Sequence, residues 1–183
     1  MRAAGFTIVE LLVALMVASL VVAATFTVLR QGEQGYLFAA AQLEAQQNAR
    51  VALERMAREI RAAGFDPTGA GFPAIVSPAP TSFTIQNDWN GNGVIDANNE
   101  IVTYLLRSTT LRRNAGGGAQ PVIEGVQALT FTYLDGDGAS TTVPERIRTV
   151  TIDLTVRQSL TPGASVLDGP AVTMRTQARL RNR

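Results

Sequence analysis

From Leu11 to Leu29 the chain carries no charged residue, and leucine, valine, alanine, methionine and phenylalanine dominate the run. As a helix these nineteen residues would reach about 28 Å, close to the roughly 30 Å hydrocarbon core of a bilayer. Ahead of the run stand a polar stub, Met1-Arg2-Ala3-Ala4-Gly5, and then Phe6-Thr7-Ile8-Val9-Glu10, which extends the apolar stretch but sets one carboxylate inside it. An ionised side chain at a membrane helix centre costs on the order of 2.5 to 3.5 kcal/mol on insertion scales, less near the interface. Glu10 therefore needs a partner or a task, unless it sits at a helix end and reaches the headgroups.

Composition narrows the tasks. The 183 residues include 16 basic and 15 acidic side chains for a net charge of +1, and no cysteine or histidine. Every basic residue is arginine. Thiol nucleophiles, imidazole bases, His/Cys zinc sites, phosphate-loop lysines and Schiff bases thus lack their reactive groups. A structural or binding role is expected rather than an enzyme.

The contiguous stretch Gly5-Phe6-Thr7-Ile8-Val9-Glu10-Leu11-Leu12-Val13-Ala14-Leu15 resembles the class III signal of type IV prepilins and type II secretion pseudopilins. The resemblance implies that prepilin peptidase cuts after Gly5 and that the new terminus, Phe6, is methylated on its amine. It also implies that Glu10 compensates the N-terminal amine of a neighbouring subunit, since opposite charges in lipid lower each other's penalty by pairing. Other pilins or minor pilins are then the partners, met through the N-terminal helix. Before assembly the subunit would be a single-pass protein of the inner membrane with its head in the periplasm, and afterwards part of a pilus or the cell surface. The competing reading is an ordinary secretory signal peptide with Arg2 as its basic region and Val22-Ala23-Ala24 as the cleavage site.

Residues 1–5 are thus read as a leader, 6–30 as a transmembrane and assembly helix, and 31–63 as its amphipathic continuation. Gly32 and Gly35 are expected to soften the helix for a turn. Leu43, Ala49, Leu53, Met56, Ala57 and Ile60 form one apolar stripe, and Glu54 with Arg58 and Arg55 with Glu59 are i,i+4 pairs. No proline interrupts residues 6 to 63. Gly64, Gly69, Gly71, Pro67, Pro73, Pro78 and Pro80 mark residues 64–82 as a connection that leaves the helix. The stretch Glu59-Ile60-Arg61-Ala62-Ala63-Gly64-Phe65 is similar to the helix-to-head junction of PilW-like minor pilins, relatives of the J-type pseudopilins, and the closing Leu180-Arg181-Asn182 resembles their ends.

Beyond residue 82 the apolar period becomes two. Leu129, Phe131 and Tyr133 alternate with polar or small neighbours, as do Val150, Ile152, Leu154 and Val156. Phe83 to Gln86, Ile101 to Leu106 and Val172 to Leu180 are further candidate strands. The expected fold class is α+β and pilin-like: a long N-terminal helix, its first half membrane-inserted, packed on an antiparallel β head over 83–183.

The head contains one stretch with metal chemistry. Residues 88–100 match a calcium-type loop at Asp88, Asn90, Asn92 and Asp96, with Gly93 at the sixth position and the Val94 carbonyl at the seventh. A hard cation wants six to eight oxygens, and alternate side chains of a tight loop converge on one point. Position twelve is Asn99, with the bidentate glutamate displaced to Glu100. Calcium is the candidate ion, at an affinity on the order of 10⁻⁴ to 10⁻³ M; the alternative is ordinary Asn-Gly turn chemistry without metal. Asp135-Gly136-Asp137-Gly138 reads as a hairpin turn and Gly116-Gly117-Gly118 as a flexible run. Arg175, Arg179, Arg181 and Arg183 are a basic cluster, but Arg175, Gln177, Arg179 and Arg181 alternate with Met174, Thr176, Ala178 and Leu180 as the solvated face of a last strand would. Nucleic-acid binding there is not expected, because no aromatic residues interleave with these arginines.

The expected function is a PilW-like minor pilin in initiation or capping of a type IV pilus. The alternatives are a J-type pseudopilin of type II secretion and a membrane-anchored, calcium-dependent adhesion module.

Overall fold

The computed structural model describes residues 5–96, 99–160 and 167–182. Arg2 with the rest of 1–4, Ala97 and Asn98 of the loop, and Arg183 lie outside the described residues. The chain forms two units, Met1–Ala40 and Ala41–Arg183.

One helix, α1 (Ile8–Ala62), begins in the first unit and ends in the second. Gly32 and Gly35 stay helical within it. Between Gly5 and Ala40 no side chain is buried, and α1 is long and apolar enough there to cross a membrane. The hydroxyls in this stretch turn inward on their own helix: Ser19 donates to Met16 O, Thr25 to Val21 O and Thr27 to Ala23 O. That is how a polar side chain is satisfied where no water is available.

From Ala41 onward one face of α1 is buried, and it is mostly alanine: Ala41, Ala45, Ala49, Ala52, Leu53, Met56, Ala57 and Ile60. The expected stripe is corrected at its start, because Leu43 is 65% exposed. Successive steps of four and three residues from Ala41 hold one helical face, and Leu43 falls off it. The charge pairs are also partly corrected. Arg55 meets Glu59 at 3.5 Å, but Glu54 pairs with Arg50 at 3.0 Å rather than with Arg58.

The head contains two antiparallel sheets where one was expected. The first orders β1 (Ile75–Val76), β2 (Ser82–Gln86), β3 (Ile101–Arg107), β4 (Thr110–Asn114) and β5 (Ala119–Ile123) in sequence. Gly116-Gly117-Gly118 is the turn of the β4–β5 hairpin, with Gly116 and Gly118 at positive φ. The second sheet holds β6 (Val126–Leu134), β7 (Thr149–Arg157) and β8 (Ala171–Arg179). Strict alternation makes β7 the centre of the core, with Val150, Ile152, Leu154 and Val156 fully buried. Phe83 joins the sheets, stacking on Tyr104 and meeting Phe131 edge-on at 4.7 Å. Asp135 accepts the amides of Asp137 and Ala139, as a turn requires.

The helix ends at a built junction. Gly64 takes φ +77°, and a Cβ there would lie 2.8 Å from Ala74 Cβ. The Gly64 amide donates to Gln86 O at 2.8 Å. Two otherwise orphaned helix carbonyls, Ala62 O and Ala63 O, accept from Asn182 Nδ2, and Arg61 O accepts from the Arg181 amide. The last residues of the chain thus cap the last turn of α1.

Candidate functional site

The N-terminal site starts outside regular structure. Gly5, Phe6 and Thr7 precede the helix, all three exposed, and Phe6 is 83% exposed. The bond after Gly5 is therefore in an open, non-helical segment. Thr7 is the N-cap. Its amide and hydroxyl both donate to Glu10 Oε2 at 2.9 Å, and the Glu10 amide donates back to Thr7 Oγ1 at 3.3 Å. This reciprocal arrangement is a capping box, which satisfies two of the helix's orphan donors. The sequence reading missed it, although Thr-x-x-Glu ahead of an apolar run is its signature. Among the described residues only Oε2 of Glu10 accepts in the cap, which leaves Oε1 for a second interaction.

The second candidate is the loop at 88–100. Asp88 and Glu100 are buried, and no salt bridge among the described residues involves either. Backbone amides hold them instead. Asp88 Oδ1 accepts from Gly91 at 2.7 Å and Asn92 at 3.1 Å, and Oδ2 accepts from Gly93 at 2.9 Å and the Thr68 hydroxyl at 3.3 Å. Glu100 Oε1 accepts from the amides of Trp89 and Asn90, and Oε2 from that of Asp96. Asn90 Oδ1 and Asn92 Oδ1 each accept the amide two residues on. Gly91 and Gly93 supply the positive φ that the winding requires.

A carboxylate offers about four lone-pair directions. Among the described residues Asp88 accepts three amides with Thr68 in reach of the fourth direction, Glu100 accepts three amides, and the two asparagine oxygens accept one each. The donor set is hard oxygen throughout, which fits calcium. An ion would nevertheless have to compete with these amides and with Thr68 for the carboxylate oxygens.

The fold separates the two residues at the loop's end. Glu100 turns into the loop, whereas Asn99 sits at φ +66°, donates its amide to Ala115 O and lines a groove with Arg58 and Trp89. Asp96 is exposed and Val94 is 60% exposed. Among the described residues no three carboxylates gather as a ready-made metal cluster. Sequence spacing also missed Thr68, which approaches from the connection and can give its one hydroxyl proton to Asp66 at 3.2 Å or to Asp88 at 3.3 Å. The amides of Gly71 and Ala70 hold the Asp66 carboxyl below its ordinary pKa.

Residues 1–26 match the family model of the prokaryotic N-terminal methylation motif. That motif supports a type IV pilin or pseudopilin, a structural class, and it implies processing by prepilin peptidase and assembly with other pilins. With α1, the one helix among the described residues long and apolar enough to cross a membrane, it fits an inner-membrane-anchored pilin. No curated protein matches the chain.

Proposed function

We propose that the chain is a PilW-like minor pilin that helps to initiate or cap a type IV pilus, with its head in the periplasm before assembly. The observation that carries this reading is the exposed Gly5–Phe6 bond, followed by a Thr7–Glu10 box at the start of an uncharged helix. Further support comes from the junction, where Gly64 and Leu180-Arg181-Asn182, the two stretches that resemble PilW-like proteins, meet at the end of α1. A J-type pseudopilin would share all of this physics. The subunits that co-purify from the native host, pilus or secretion components, decide between the two.

Glu10 separates both from a lone anchored adhesion module. Glu10→Gln keeps the cap, because glutamine also serves at this position, but removes the charge. Glu10→Ala removes both. If the carboxylate pairs with a neighbour's amine, Glu10→Gln and Glu10→Ala are both lost from sheared filaments. Incorporation of Glu10→Gln at the wild-type level would reduce Glu10 to a cap, and incorporation of both variants would favour the adhesion module.

In this proposal calcium is held by Asp88, Asn90, Asn92, the Val94 carbonyl, Asp96 and Glu100, and Asn99 takes no part. Because amides already hold the Asp88 and Glu100 oxygens, binding is expected only near millimolar calcium. Trp89 lies within the loop and is the chain's only tryptophan, so its fluorescence reports the event. No change in emission or melting temperature at millimolar calcium would leave the loop as a self-closed turn.

A further inference from the structure

Beside the loop, the fold gathers groups that lie far apart in sequence. Phe65 and Trp89 stack with ring centroids 5.2 Å apart and planes 22° from parallel, and Trp89 remains 52% exposed. A groove of about 350 Å³ runs along the stack, lined also by Arg58, Arg61, Arg181 and Asn182. A second, of about 370 Å³, shares Trp89 and Arg58 and continues past Asn99.

The arginines are free of carboxylates. The salt bridges among the described residues engage Arg50, Arg55, Arg113 and Arg175, and none engages Arg58, Arg61 or Arg181. The acidic neighbours are already occupied. Glu59 receives Arg113 at 3.0 Å on both oxygens and Arg55 at 3.5 Å, and Asp66 accepts the amides of Ala70 and Gly71. Three arginines that make no salt bridge among the described residues therefore line one groove with an exposed aromatic face.

In sequence no aromatic residue stands among the C-terminal arginines. Arg175, Gln177 and Arg179 stand on the exposed face of β8 as expected, and only Arg181 of the described C-terminal arginines departs from that face. Arg175 is tied to Asp153, whereas Arg181 lies past the end of β8 and lines the groove that holds the aromatic stack. The interleaving absent from the sequence is supplied by Phe65 and Trp89.

We propose that the Phe65–Trp89 stack with Arg58, Arg61 and Arg181 binds single-stranded nucleic acid. The chemistry recognised is a nucleobase joined to phosphate: the indole takes an unpaired base face, and the planar guanidiniums take phosphate oxygens. A duplex hides its base faces and fits less well. The site needs no metal, since the stack and the arginines are in place with the loop closed on itself.

The test uses the full-length protein in detergent, titrated with a short oligothymidylate while Trp89 emission is followed, in calcium and in chelator. Saturable quenching is expected in both conditions, and a failed calcium reading leaves it unchanged. Affinity should fall with salt at a log–log slope of about −2, from roughly 0.7 per phosphate neutralised by three arginines. Trp89→Ala, followed by strand anisotropy, should weaken binding about 5- to 150-fold, the worth of one stacked base. Arg58→Ala combined with Arg181→Ala should flatten the slope to about −0.7. Should Trp89→Ala fail to fold, Trp89→Phe, which keeps a stacking ring, should retain most of the affinity.

Three results would overturn the proposal. Equal binding and quenching by dextran sulfate would mean that the patch reads charge alone. Thymidine monophosphate binding as tightly as the strand would make it a free-nucleotide site. Absence of any saturable quenching by the strand would mean that nothing stacks on Trp89.

Discussion

Residues 5–40 and residues 41–182 solve the same problem by opposite means. In the first stretch no side chain is buried, and every side-chain hydrogen bond closes within four residues. In the second, alanines of α1 and alternate residues of eight strands form one core, and bonds such as Asn182 to Ala62 span 120 residues. A segment that satisfies its polar groups locally and buries nothing is built for an environment outside its own chain, lipid or the helices of other subunits. A segment with its own core carries the stability of the fold.

The sharpest way to break this comparison is to make the same kind of cut in both regions. Met56 is fully buried, so Met56→Ala should cost about 2–5 kcal/mol, read by chemical denaturation in detergent. Leu15 is 68% exposed, and Leu15→Ala should leave that transition in place. A comparable loss from both would mean that the first region has a hidden intramolecular partner.

A smaller effect sharpens the boundary. Asn182→Ala removes the donor to Ala62 O and Ala63 O and should cost about 1 kcal/mol. It should also speed amide exchange in the last turn of α1 while leaving residues before Ala41 unchanged.

The smallest effects depend on pH. Asp66 has its folded pKa lowered by the Gly71 and Ala70 amides. Its contribution is therefore complete above the ordinary aspartate value near 3.8 and is lost as pH falls through the lowered folded value. Wild type and Asp66→Asn should differ in melting temperature at neutral pH and converge in acid. Burial raises the pKa of the Tyr104 and Tyr133 phenols, and the Glu59 carboxylate adds to the rise at Tyr104. Their contributions are full below the ordinary tyrosine value of 10 and decline above it. In an absorbance titration these two should ionise only as the head unfolds.

Much of the fold was legible because period and position carry it. The uncharged run, the proline-free helix and the alternation of β7 each have a direct residue pattern. The misses have physical causes. Alanine weighs little in a hydrophobic pattern, so Ala41, Ala45 and Ala52 went unread while Leu43 drew attention. The short strand β5 contains Pro121 and has little alternation. The loop's residue types were visible in sequence, but whether Asn99 or Glu100 turns inward depends on backbone conformation. The stack of Phe65 on Trp89 among three arginines has no local signature, because only tertiary folding brings 58, 65, 89 and 181 together.

The central claim is that the N-terminus is a processed assembly signal. Mass spectrometry of the mature protein from its native host tests it most directly. The account predicts an N-terminal peptide starting at Phe6 and carrying one methyl group on its amine. A chain that retains Met1 through Gly5, or one that starts after Ala24, would contradict it.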